Sequence, residues 1–107
     1  MSNYQRKTSI KEDCNIERSL NMISGKWKPA ILSGLLKSTL RLKDMQEGLP
    51  DASKRALTQQ LKELIEDGLI KKKDFEEYPK RTEYSLTSKG VNLKPVFEAL
   101  SQFGENN

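Results

Sequence analysis

Histidine is absent from this 107-residue sequence, and cysteine occurs once, at Cys14. Without imidazole there is no Ser-His or Cys-His nucleophilic pair and no histidine-ligated metal. A single thiol forms neither an internal disulfide nor a thiolate zinc cage, and it suits a reducing compartment. Aromatic residues are scarce at 7%, and apolar types make up 35% against 32% charged. The one core that such a length supports is therefore lean, which leaves a role for a partner subunit. Long hydrophobic runs are missing too. The longest, Ala30-Ile31-Leu32 and Leu35-Leu36, are interrupted by Ser33 and Gly34 and fall far short of a membrane span. Residues 1–15 carry one large aliphatic side chain, Ile10, and no apolar segment of the signal-peptide kind. These absences weigh against a hydrolase, a metalloenzyme or a membrane protein. They point to a cytoplasmic chain with no cofactor and no metal.

Charge is present in quantity and unevenly placed. The formal net charge is +4. Residues 53–62 (SKRALTQQLK) hold three cations and no acid, and residues 71–81 (KKKDFEEYPKR) hold five cations against Asp74, Glu76 and Glu77. Together these two segments carry +3 and +2, more than the whole chain's +4, so the remainder is slightly acidic.

The periodicity predicts a run of short elements. The first dozen residues (1–12) are polar and aperiodic, as expected of a flexible arm. Ile16, Leu20 and Ile23 follow at i, i+4, i+7, with Gly25 placed to stop a helix. Pro29 suits the first turn of a second helix carrying Ile31, Leu32, Leu35 and Leu36 and ending near Lys37. A residue or two of extended chain near Leu40 leads to a brief helix with Leu42 and Met45, closed by Gly48 and Pro50. The clearest helix has Ser53 as N-cap, a stripe of Leu57, Leu61 and Leu64, and Gly68 just past its end. Opposite the stripe, Arg55, Thr58, Gln59 and Lys62 share a sector of about 100°. After Gly68 the period becomes two, and residues 69–75 and 82–86 read as strands around the polar turn Glu76–Arg81. Thr87 then caps a last helix with Leu93, Val96, Phe97, Leu100 and Phe103, in which Pro95 predicts a bend or a late start.

A short helix, a tight turn, a long helix with a polar outer face and then a hairpin is the winged helix-turn-helix plan. The expected class is α+β, mainly α, with a two-stranded β-hairpin wing. A helix about 10–12 Å wide fits a B-DNA major groove, and the wing reaches neighbouring phosphates. In the recognition helix, Gln59 and Arg55 can read base edges, Thr58 and Lys62 flank them, and Ser53 and Lys54 suit phosphates at a helix N-terminus. Ser53 also has the simpler role of a cap. In the wing, Lys73, Lys80 and Arg81 are the candidate contacts, although Arg81 could instead pair with Glu83 and the run Lys71-Lys72-Lys73 could be a charged edge that discourages aggregation. Trp27 reads as an interhelical anchor rather than a ligand-stacking residue.

The motifs Cys14-Asn15-Ile16-Glu17-Arg18-Ser19-Leu20, Gly25-Lys26-Trp27, residues 57–64 (LTQQLKEL), Glu66-Asp67-Gly68-Leu69-Ile70, residues 81–87 (RTEYSLT) and Gly90 stand in one order and spacing. In that combination the sequence resembles the HxlR family of winged helix-turn-helix regulators, relatives of the MarR type. It departs from the family's usual pattern at Asn15, at Leu42 and in the wing turn Glu77-Tyr78-Pro79-Lys80. The resemblance spans about residues 14–104, placing the domain at 13–104 with a tail of 105–107.

The resemblance implies a homodimeric transcription factor whose N- and C-terminal helices make the dimer contacts. Ile16 and Leu20 would then face Val96, Phe97, Leu100 and Phe103, side chains that a lone domain would have to share between its own core and a second subunit. Two recognition helices about 34–36 Å apart would enter successive major grooves of a pseudo-palindromic operator. Cys14 admits two roles. It is either a small residue at a helix start or a redox or electrophile sensor of the kind some members of the family carry. The positive end of a helix, Lys11 and Arg18 favour a reactive thiolate, whereas Glu12, Asp13 and Glu17 oppose it. The alternative function is a winged-helix protein-interaction module that leaves DNA untouched. A thiol enzyme built on Cys14 lacks any base partner. No polar cluster identifies a small-molecule effector.

Overall fold

The computed structural model describes residues 14–107, so the expected arm at 1–12 lies outside the described residues. Its order is α1 (Asn15–Ile23), α2 (Lys28–Leu35), α3 (Leu42–Gly48), α4 (Lys54–Glu66), β1 (Ile70–Phe75), β2 (Arg81–Leu86), α5 (Ser88–Val91) and α6 (Leu93–Glu105). This is the winged-helix arrangement.

Local chemistry sets most boundaries. In α1 the Ser24 N–H closes on the Leu20 carbonyl at 2.7 Å, and the chain turns at Gly25. Pro29 lies in the first turn of α2, where its missing N–H costs nothing. This helix stops at Leu35, two residues before Lys37, and residues 36 and 37 form a turn. The Arg41 N–H donates to Asp44 Oδ2 at 2.8 Å, half of a capping box at the head of α3. Ser53 Oγ accepts from the Ala56 N–H at 3.0 Å and starts α4. At the other end the Leu69 N–H reaches the Leu64 carbonyl and the Gly68 N–H the Ile65 carbonyl. That paired closure needs a left-handed residue, which Gly68 supplies with φ of +76°.

The hairpin pairs Ile70 with Leu86 through Phe75 with Arg81. Leu40, expected to be extended, exchanges two backbone hydrogen bonds with Tyr84 at 3.1 and 2.8 Å and thereby ties the wing to the segment ahead of α3. The expected single C-terminal helix is two. Thr87 Oγ1 accepts from the Gly90 N–H and caps α5, the helix breaks at Asn92, and α6 starts afresh with Pro95 in its first turn. The physical reason is that the proline ring cannot pass the carbonyl four residues back, so continuity through Val91 is lost. Gly90 is required by space, since a Cβ there would stand 2.1 Å from the Leu69 carbonyl oxygen. Helix α6 runs to Glu105, the first residue of the expected tail.

The core is built by Ile23, Ile31, Leu32, Leu35, Met45, Ala52, Leu57, Leu61, Leu64, Leu69 and Ile70. Trp27 packs against it half-buried, in the anchoring place expected of it. Among the described residues, no helix is long and apolar enough to cross a membrane.

Candidate nucleic-acid interface

The leucine stripe of α4 is sealed in the core, with Leu57, Leu61 and Leu64 at most 1% exposed. A 13-residue helix anchored by one face must turn the other outward. Ser53, Lys54, Arg55, Thr58, Gln59 and Lys62 are accordingly all exposed. Ser53 commits its oxygen to capping, the simpler of its two expected roles.

The wing lies beside this face. Thr58, Lys62, Ile65 and Glu66 of α4 and Lys72 and Tyr84 of the hairpin line one groove, so a cation from the helix and one from the strand flank the same depression. Strand alternation explains why the strand's contribution is Lys72. Lys72, opposite Tyr84, and Asp74, opposite Thr82, share one face; Lys73, opposite Glu83, and Phe75, opposite Arg81, share the other. Of the expected wing contacts, Lys73 therefore points away from the α4 groove and sits 5.1 Å from the Phe75 ring centroid. Arg81 lies 4.0 Å over the same ring, and its Nε–H donates to Glu83 at 3.1 Å, the pairing weighed for it from sequence. Lys80 is exposed in the turn, beside a hollow it shares with Asp74, Glu76 and Thr82. Of the sequence-predicted wing cations, Lys73 and Arg81 thus share the face turned away from α4, and Lys80 stands in the turn. Tyr84, half-buried at the seam, has its phenol pushed above 10.0 by burial and then by the Asp74 charge.

Behind the exposed face is a polar clasp that periodicity did not reveal. Lys28 is fully buried, and its Nζ lies 2.6 Å from Glu63 Oε1 in an ion pair whose geometry is off the hydrogen-bond axis. The other carboxylate oxygen of Glu63 accepts from Gln59 Nε2 at 3.0 Å. One position away, Gln60 Oε1 accepts from the Trp27 N–H at 3.0 Å, ahead of α2. A Cβ on Gly25 would stand 3.0 Å from that Gln60 oxygen and 3.1 Å from Lys28 Cδ, so the linker is glycine where the clasp closes. One signal for it was available. Lys28 stands at i to Ile31, Leu32 and Leu35 at i+3, i+4 and i+7, a cation on the apolar stripe of its helix. A second overlooked residue is Tyr78 in the wing turn, 97% exposed.

At the ends of the chain, Leu20 and Phe97 are half-buried, and Phe97 packs on the core. Ile16 is 72% exposed, Val96 42%, Leu100 49% and Phe103 69%. Cys14 is the half-buried N-cap residue of α1; its side chain makes no capping hydrogen bond, while its carbonyl accepts from the Arg18 N–H at 3.0 Å. Among the described residues, no cluster of metal-ligating side chains occurs.

Residues 22–107 match the family model described as HxlR-like helix-turn-helix. An uncharacterized HTH-type transcriptional regulator of Methanothermobacter thermautotrophicus is 38% identical over 92 residues, covering 86% of this chain and 70% of that protein. The redox regulator HypR, solved in its reduced form, superposes with a TM-score of 0.82 at 33% identity, over 86% of this chain and 91% of its own. The reduced form of the transcriptional regulator YodB from B. subtilis superposes with a TM-score of 0.79 at 25% identity, over 89% of this chain and 93% of its own.

Proposed function

Because this chain belongs to the HxlR-like helix-turn-helix family of transcriptional regulators, not to a family of enzymes, we propose that it binds double-stranded DNA as a homodimer on a pseudo-palindromic operator in the cytoplasm. The observation that carries this proposal is the exposed face of Arg55, Thr58, Gln59 and Lys62, continuous through the Lys62–Lys72 groove with the wing. Phosphate contacts from Lys54, Lys62, Lys72 and Lys80 supply most of the affinity, and they make it fall steeply with salt as counterions are released. Arg55 and Gln59 read base edges, guanine and adenine being the partners that their donors and acceptors match. Val96, Leu100 and Phe103 of α6, together with Ile16 of α1, form the apolar face that a second copy covers.

The test is a salt series of binding to mixed-sequence duplex and to the DNA flanking the chain's own gene. Arg55→Ala and Gln59→Ala are expected each to remove about 1–3 kcal/mol of sequence discrimination and to leave mixed-sequence affinity nearly intact. Affinity indifferent to salt, or discrimination untouched by both substitutions, would instead favour a protein-interaction module on the same scaffold. Cys14 is the candidate site of control, since it opens α1 two residues before exposed Ile16. An electrophile would form an adduct with its thiol. An added two-electron oxidant would join the two subunits' thiols, with loss of two protons. Diamide should change operator binding of the native chain and leave Cys14→Ser unaffected.

A further inference from the structure

Gln59 is exposed, yet its amide is tethered from behind. Nε2 donates to Glu63 Oε2 at 3.0 Å, one turn further along α4. Glu63 is held in turn, because its Oε1 lies 2.6 Å from the Nζ of fully buried Lys28. Lys28 belongs to the first turn of α2, and the Trp27 N–H beside it is bonded to Gln60 of α4. Three polar side chains therefore link the interior to the outer face of α4. A free glutamine must lose several rotamers when it engages a base, and that ordering opposes binding. Here the ordering is already made. A glutamine amide has two N–H groups and one oxygen. With one N–H on Glu63, the second N–H and Oε1 are left as the donor–acceptor pair that matches an adenine edge. A buried ion pair contributes little net stability over well-packed apolar residues of the same volume, so folding alone does not explain this one.

On the premise of DNA reading set out above, we propose that Lys28 and Glu63 are positioning residues that preset the Gln59 amide, and so determine base discrimination at the one place Gln59 reads. Phosphate affinity is outside their reach. The experiment selects preferred sites from a random duplex pool with the native chain, then identifies the base pair whose preference Gln59→Ala erases. Two double variants are compared there. Lys28→Met with Glu63→Leu removes both charges and the acceptor, whereas Lys28→Met with Glu63→Gln removes the charges and keeps an acceptor for Gln59. The Leu variant is expected to lose roughly tenfold in preference at that base pair alone, with mixed-sequence affinity and salt slope unchanged, and the Gln variant to retain most of it. Full preference in the Leu variant, or an even loss at every position, overturns the proposal. Side-chain ¹⁵N relaxation on the native DNA-free chain makes the test independent of variant folding. The Gln59 amide should be markedly more ordered than that of exposed Gln102, and equal mobility overturns the proposal. A native chain that enriches no sequence removes the DNA-reading premise itself, an outcome distinct from normal selection with a loose Gln59.

Discussion

Helices α4 and α6 are both 13 residues long and both amphipathic, but they are completed differently. Helix α4 buries Leu57, Leu61 and Leu64 to within 1% of full exclusion from solvent, against partners that all come from the same chain. Helix α6 has no buried residue, and outside Leu93 and Phe97 its apolar side chains Val96, Leu100 and Phe103 remain open. The central unit from α2 to β2 is thus a finished hydrophobic structure that offers polar groups outward. The ends offer apolar groups outward, beside Ile16 at 72% exposure. An amphipathic pattern says that a helix has a side to hide; it does not say from which molecule the cover comes.

The largest effect should fall on the finished half. Leu64→Ala deletes a fully excluded side chain at the back of α4 and is expected to cost about 2–5 kcal/mol in denaturant unfolding, because the cavity is only partly closed by relaxation. A cost below about 1 kcal/mol would mean that the two halves do not differ as described. At the open end, Leu100→Glu with Phe103→Glu should convert the proposed dimer to a monomer in sedimentation. Unfolding of that monomer should stay within about 0.5 kcal/mol per substitution of the native chain measured below its dimerisation range. A variant still dimeric with these two charges would relocate the dimer face away from α6.

The smallest effect sharpens the comparison at the seam. Tyr84 carries its phenol above the ordinary 10.0 through burial and the Asp74 charge, so the folded state disfavours the tyrosinate. Its contribution is fully present below pH 10 and is lost as pH rises through the raised folded value. Tyr84→Phe should therefore flatten the alkaline fall of stability in a pH series of melts while leaving the neutral range nearly unchanged. It reports on the wing and its bridge to Leu40, not on α1 or α6. An identical alkaline limb in the variant would remove Tyr84 as its source.

Where an element depends on its own residues, it was legible before any fold was seen. The leucine spacing of α4, its Ser53 cap, the Gly68 closure, the hairpin's alternation and the interruption near Pro95 are local events, governed by bonds between residues a few positions apart. The outward face of Arg55, Thr58, Gln59 and Lys62 follows directly from the stripe opposite it. The wing was legible only in part. Alternation showed that adjacent lysines point to opposite faces, but which face meets α4 depends on how the hairpin is pinned at Leu40, and Lys72 rather than Lys73 holds that place.

The sequence by itself determined the order of elements, the winged-helix class and the charged outer face of α4, because helix and strand periods write themselves into residues three, four or two positions apart. Only the tertiary structure decided that Lys28 is buried against Glu63, that Gln60 bonds the Trp27 N–H, and that Arg81 stacks on Phe75. The first two join residues more than thirty positions apart, and the third depends on cross-strand register. A buried charge is tolerated only where a counter-charge from another element meets it, and that meeting is a property of packed surfaces, not of any single run of sequence.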